Sequence, residues 1–336
     1  MAHMTLAESV LSGDRLALAR LLTHVEGDSP EARAALAELF SYSGRAHLVG
    51  ITGAPGTGKS SLVNQLALHF RKQEKRVAIV AVDPSSPFTG GAVLGDRVRM
   101  RDLSGDAGVF IRSMASRGSL GGLAQTTAAM TLVFDAAGFE IVMIETVGAG
   151  QNEVNIARLA HTTVVVEAPG LGDDIQAIKA GILEIADVLA INKADRPGVE
   201  NTEKALRSML ELAHPTRKKF LHHGRPMIAD AAAEAADSRL WIPPICRTVA
   251  TDGKGVEGLA AAIALHAAHL RSTGGWNLRE RERLRSEVEA LLREALVRRF
   301  HAELSGETFE SVIQNIFERK LSPWEAVRTL VNDRQA

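Results

Sequence analysis

The sequence predicts an α/β fold in which a mainly parallel sheet is flanked by helices, with helical extensions at the N- and C-terminal ends. Three observations carry this. Continuous apolar runs such as Val77-Ala78-Ile79-Val80-Ala81-Val82 recur through the middle of the chain, and a run without polar alternation suits a strand buried on both faces. Segments with helical spacing separate the runs, the pattern of a sheet wound with crossover helices. A glycine-rich turn joins the first run to the first such helix.

In chain order, residues 6–42 are helical: Leu6, Val10 and Leu11, then Leu18, Leu21 and Leu22, then Ala35, Leu36 and Leu39 share helix faces. Ser29-Pro30-Glu31 supplies an N-cap, a proline at the first helical position and an acidic first turn for the last of these helices. Strands are expected at 47–52, 76–82, 109–112, 139–145, 162–167, 187–191 and 244–248. The helix after the first strand buries Leu62, Leu66 and Phe70. Residues 215–244, rich in His, Ala, Arg and Pro, read as a peripheral insertion. Beyond Gly274-Gly275, Leu284, Val288, Leu291, Leu292, Ala295 and Phe300 mark a charged amphipathic helix, and a shorter helical pair follows at Phe309 to Phe317 and Trp324 to Leu330. The expected boundaries are a helical extension over 1–45, a nucleotide-binding domain over 46–272 and a helical arm over 273–336, for which the hinge at Gly274-Gly275 predicts crossing to a second protomer.

Composition narrows the partners. The 336 residues hold 39 Lys+Arg against 40 Asp+Glu, so no basic excess points to nucleic acid or an anionic membrane. No apolar run approaches the ~18 residues of a membrane span. The single cysteine, Cys246, excludes an internal disulfide and a cysteine-based metal cluster. A reducing compartment follows, and a cytoplasmic location is expected.

Gly53-Ala54-Pro55-Gly56-Thr57-Gly58-Lys59-Ser60 matches G-x-x-x-x-G-K-[ST] and lies between strand and helix, with Ser61 next. Such a loop turns its backbone N–H groups inward on phosphate, Lys59 reaches the β- and γ-phosphates, and the Ser60 hydroxyl can ligate Mg²⁺. The fold class is therefore that of the P-loop NTPases. After the sixth strand comes Asn192-Lys193-Ala194-Asp195. The Asp195 carboxylate can accept from guanine N1–H and the exocyclic amine, whereas adenine offers neither donor, and such a site discriminates by about 10⁴. GTP and GDP are thus the expected ligands. Asn192 binds the base edge or braces the phosphate loop, and the Lys193 stem covers the purine. Thr248-Val249-Ala250, after the next strand, resembles a loop whose N–H groups meet the guanine oxygen.

Two acidic strand ends, Asp83 and Glu145, are candidates for Mg²⁺, which takes hard oxygen ligands. In Glu145-Thr146-Val147-Gly148 the Gly148 N–H is placed to sense the γ-phosphate, with Gln151 the nearest glutamine. The Gly-, Pro- and Ser-rich loop between Asp83 and Arg101 has the character of a lid, from which Asp96 or Thr89 can reach the metal or the attacking water. No glutamine follows Gly148 directly, so slow hydrolysis until a partner completes the site is expected. The loop at 168–181, including Asp173 and Lys179, opens toward the same edge of the sheet.

Together these residues resemble the methylmalonyl-CoA mutase-associated GTPases. The likeness rests on Gly53 to Ser60, Asp83-Pro84-Ser85-Ser86-Pro87 with Gly95-Asp96-Arg97, Glu145 to Gly148 with Gly150-Gln151, Pro169-Gly170 with Gly172-Asp173, and Asn192 to Asp195. It implies a homodimeric GTPase that binds an adenosylcobalamin-dependent methylmalonyl-CoA mutase, gates cofactor delivery and protects the enzyme. It also implies Mg²⁺ and hydrolysis roles for Asp83, Asp96 and Glu145, and a third switch around Lys179. The alternative is a small-molecule kinase or a transport-associated P-loop ATPase, against which the guanine-reading element speaks.

Overall fold

The computed structural model describes residues 4–84, 100–103, 105–116, 120–146, 152–170, 184–213, 217–222, 225–230 and 240–332. Contacts divide the chain into two compact units, Met1–Arg283 and Leu284–Ala336.

The first unit begins with α1 (Leu6–Leu11), α2 (Arg15–Glu26) and α3 (Pro30–Leu39). Thr5 and Glu8 form a reciprocal capping box on α1, and Asp14 caps α2. Ser29 caps α3 through the Ala32 N–H, with Pro30 at the first helical position, as its sequence predicts. β1 (His47–Thr52) and α4 (Lys59–Lys72) follow, then β2 (Val77–Pro84), β3 (Val109–Ser116), α5 (Leu120–Ala136) and β4 (Ile141–Thr146). Next come α6 (Asn152–Leu159), β5 (Thr162–Glu167), β6 (Val188–Ile191) and α7 (Val199–Ala213). A hairpin of β7 (Arg217–His222) and β8 (Arg225–Asp230) precedes β9 (Ile245–Arg247), α8 (Val256–Thr273) and α9 (Gly275–Glu303).

Strands β1 to β6 and β9 make one parallel sheet in the order β3-β2-β4-β1-β5-β6-β9. Alternation along each strand sends its side chains to opposite faces of the sheet, where the buried residues form three clusters, one of them joining Val165, Leu189 and Ile191 to Val199 and Leu206 of α7. Leu48, Ala78, Val80, Val142 and Ile144 pack against α1, α2, α3, α5 and α6, whereas Val49, Ile51, Ile79, Met143 and Val164 pack against α4 and α8. Leu62, Leu66 and Phe70 of α4 are buried there, each contributing about 1.5–3 kcal/mol. This three-layer arrangement is the α/β fold expected from the apolar runs. Within the span 215–244, read as peripheral, the structure adds the antiparallel pair β7–β8, which forms its own two-stranded sheet.

The linker between α3 and β1 is held by one side chain. The buried Asp135 carboxylate accepts from the N–H groups of Gly44 (2.6 Å), Arg45 (3.1 Å) and Ala46 (3.0 Å). Parallel order then brings the carboxyl ends of β1, β4 and β2 side by side, with Glu145 level with Ile51 on one side and Ala81 on the other.

The second unit carries the rest of α9, then α10 (Gly306–Phe317) and α11 (Pro323–Asn332). Ser305 caps α10 through the Thr308 N–H. The predicted helical pair is present, and Val288, Leu291, Leu292, Leu296, Val297, Phe317 and Trp324 are all exposed.

Candidate nucleotide site

At the carboxyl end of β1 the chain turns through Gly53 and Gly58 in backbone conformations that side chains oppose. Gly53 has φ of 141° and a Cβ there would stand 2.1 Å from the Val166 carbonyl oxygen; Gly58 has φ of 91° and would meet Asn192 Nδ2 at 2.4 Å. Both positions therefore require glycine. Thr57 is fully buried, and its hydroxyl donates to the Ala54 carbonyl at 2.9 Å, closing the turn. Ala54 is half-buried, and Pro55 and Gly56 are exposed at the loop's crown, with Ser61 exposed on the first turn of α4.

Lys59 opens α4 and is buried, with Nζ donating to the carbonyls of Gly53 (2.8 Å) and Ala54 (3.0 Å). The ammonium thus lies inside the curve of the loop, where a phosphate's charge replaces two weaker carbonyl acceptors. The Ser60 hydroxyl donates to Glu145 Oε1 at 2.6 Å, and Glu145 is buried. Two hard oxygens from separate elements, side by side at the mouth of a phosphate loop, form a donor set that fits Mg²⁺. Asp83, the last residue but one of β2, is in register with Ala115, on the far side of β4 from β1. Its side chain lies outside the described residues, as do Thr89, Asp96, Gly148, Gln151, Asp173 and Lys179.

The base-reading element joins the same site through Asn192. Its Nδ2 donates to the Thr57 carbonyl at 2.8 Å, and its Oδ1 accepts from the Ala250 N–H at 3.0 Å and the Thr248 hydroxyl at 3.2 Å. Of the two roles open to Asn192 in the sequence, the structure places it in the brace. Lys193 adopts the left-handed conformation at φ 57° and donates from Nζ to the Gly56 carbonyl at 2.6 Å. Asp195 stands exposed on the turn. In this structure the N–H of Val249 is bonded to the Lys254 carbonyl and that of Ala250 to Asn192, so the amides expected to meet guanine are engaged internally.

Two contributors carry no motif. Thr146 donates to the Thr52 hydroxyl at 3.2 Å, tying the ends of β4 and β1. Asn64, one turn beyond Ser60 and buried, donates to Asp102 Oδ2 at 3.3 Å, where the chain returns to α4. The signal for Asn64 was a polar residue inside an apolar helix face. Arg112 of β3 is paired with Glu26 of α2 at 2.5 Å. No helix among the described residues is long and apolar enough to cross a membrane.

Comparison with known proteins agrees with this geometry. Residues 18–305 match the family described as Methylmalonyl Co-A mutase-associated GTPase MeaB. A Pyrococcus horikoshii protein whose name includes the word GTPase is 43% identical over 96% of this chain and 95% of its own. GTPase ArgK of Escherichia coli is 41% identical over 64% of this chain and 67% of its own. The mitochondrial methylmalonic aciduria type A homolog of Caenorhabditis elegans is 32% identical over 77% and 64%. Among solved structures, that of a LAO/AO transport system kinase superposes with a TM-score of 0.68 at 25% identity, covering 98% of this chain and 97% of that one.

Proposed function

The chain belongs to the methylmalonyl-CoA mutase-associated GTPase family, and from that membership we propose that its GTPase activity drives a chaperone cycle on an adenosylcobalamin-dependent methylmalonyl-CoA mutase. It binds GTP and hydrolyses it to GDP and phosphate. The cycle gates delivery of adenosylcobalamin and protects or reactivates the mutase. The observation that carries this reading is the Asn192 brace, because one amide joins the phosphate loop to the base-reading loop. A site so joined responds to the whole nucleotide, as a switch requires.

In this cycle Lys59 and the loop amides hold the β- and γ-phosphates, and Asp195 selects guanine. Ser60 and Glu145, with Asp83 and Asp96, would hold Mg²⁺, which when bound neutralises charge on the transferring phosphate. Gly148 and Gln151, and Asp173 with Lys179, act as the segments that read nucleotide state. Hydrolysis is slow until the partner completes the site. The exposed apolar residues of α9, α10 and α11 support a homodimer built through the arm. We place the protein in the cytoplasm, away from membrane and nucleic acid.

The test is chromatography of the protein with purified mutase in the presence of GDP or a non-hydrolysable GTP analogue. Binding that differs between the two forms, with faster GTP turnover in the complex, is expected; indifference of both to the mutase would sink the chaperone reading. The likeness to a solved transport system kinase favours testing a second reading in parallel. Equal affinity for GDP and ADP, or phosphate transfer to a small acceptor, would move the chain to that class.

A further inference from the structure

At the opposite, amino-terminal edge of the sheet lies a cluster that the nucleotide site does not use. Three buried histidines meet there: His47 on β1, His161 just before β5 and His266 on α8. Thr162 links two of them, its hydroxyl 2.8 Å from His47 Nε2 and 2.9 Å from His266 Nδ1. His266 Nε2 in turn stands 3.2 Å from Asp187 Oδ1. On α9, Trp276, Arg279, Glu280 and Arg283 fall on one face, and all but Arg283 bond or stack directly onto this cluster. Arg279 grips Asp187 with both terminal nitrogens at 2.8 and 2.7 Å and donates to the His161 carbonyl at 2.5 Å. Trp276 stacks on the His161 ring with centroids 3.8 Å apart. Glu280 accepts from His161 Nε2 at 3.4 Å and is held by Arg283. Trp241 completes the wall, donating to the Asp187 carbonyl at 2.7 Å.

The hydrogen bonds of His161 require a neutral ring. His161 Nδ1 accepts the Leu48 N–H at 3.1 Å, so a second ring proton would set two donors against each other. At His266, Arg279 already neutralises Asp187, and an imidazolium would add an unbalanced charge in a buried site. Among the described residues no group of three or more His, Cys, Asp or Glu side chains is arranged to hold a metal ion.

We propose that this cluster is a pH-released latch: with its rings neutral it holds the first two turns of α9 on the sheet, and mild acid lets them go.

The charged neighbours set the direction. Burial, opposed by Glu280 and aided by Arg283 and Arg279, lowers the His161 pKa. Burial, opposed by Asp187 and aided by Arg279 and His269, lowers His266 to about 4. Burial, with His161, Arg271, His266 and Lys75, holds the His47 pKa well below the ordinary histidine value. For Glu280 burial works upward, but the bonds from Arg283 and His161 outweigh it and hold the carboxyl at about 2, ionised throughout. A released ring titrates near 6.5. The latch is therefore at full strength above about pH 6.5 and weakens as pH falls from there toward the lowered values, by about tenfold per histidine one unit below 6.5.

Hydrogen exchange of amides 276–283 in the full chain, corrected for intrinsic rates, reads the latch directly. Between about pH 7.5 and 5.5 protection should fall at least about tenfold. GDP affinity should stay constant, since the nucleotide lies at the other edge. His161→Gln combined with His266→Gln keeps neutral donors and acceptors and should shrink the pH response to what His47 alone contributes. Unchanged protection in the wild type across this window would overturn the proposal without using any variant; so would an equal acid response in the double variant that still binds GDP.

Discussion

Asn192 shows what a single residue does in this fold. Replacing it by alanine leaves the Thr57 carbonyl and the Ala250 N–H without their buried partner, a loss of about 2–4 kcal/mol for two orphaned groups. Asn192→Ala should therefore unfold at lower denaturant and also lose GDP affinity by about tenfold or more, although the amide reaches the loop backbone and not the base. Calorimetric titration of GDP into the folded variant checks this; unchanged affinity would remove the brace from the binding argument. Residues of this site were legible where the chemistry is local to a motif: Gly53, Gly58, Lys59, Ser60 and Asn192 stand together as their spacing implied. The Thr52–Thr146 bond and the partner of Asn64 were not, because each depends on which strands or loops become neighbours.

Elements were read well where burial on two faces writes itself into composition. Strands β1 to β6 and β9 each lie within a residue or two of an apolar run, apart from the longer carboxyl ends of β2 and β3. The β7–β8 hairpin escaped because a pair outside the main sheet needs no such run, and Arg217-Lys218-Lys219 and His222-His223 resemble loop. Asp135 belongs to this scale, since it joins the extension α1–α3 to the sheet through three amides. Asp135→Ala should cost about 2–4 kcal/mol and lower Tm by roughly 5–10 °C. Calorimetric scanning with and without GDP measures it; a loss under about 0.5 kcal/mol would mean water replaces the carboxylate.

For the whole molecule, buried clusters on opposite faces explain how one sheet carries helices on both sides while the two ends of its strands serve separate sites. The second unit leaves Leu292 and Leu296, one turn apart, in solvent with Phe317 and Trp324. Leu292→Glu with Leu296→Glu should convert a dimer to a monomer in sedimentation while GDP affinity is kept. A wild type that sediments as a monomer at micromolar concentration would defeat the dimer. The brace between the loops also has a consequence for ligands that fill only half the pocket. Guanosine and pyrophosphate, offered as separate fragments, each settle a strand turn that the other needs, so the presence of one lowers the entropic cost of ordering the site for the other. Discrimination of the purine and grip on the phosphates then cannot drift apart independently, because a single carboxamide sets both.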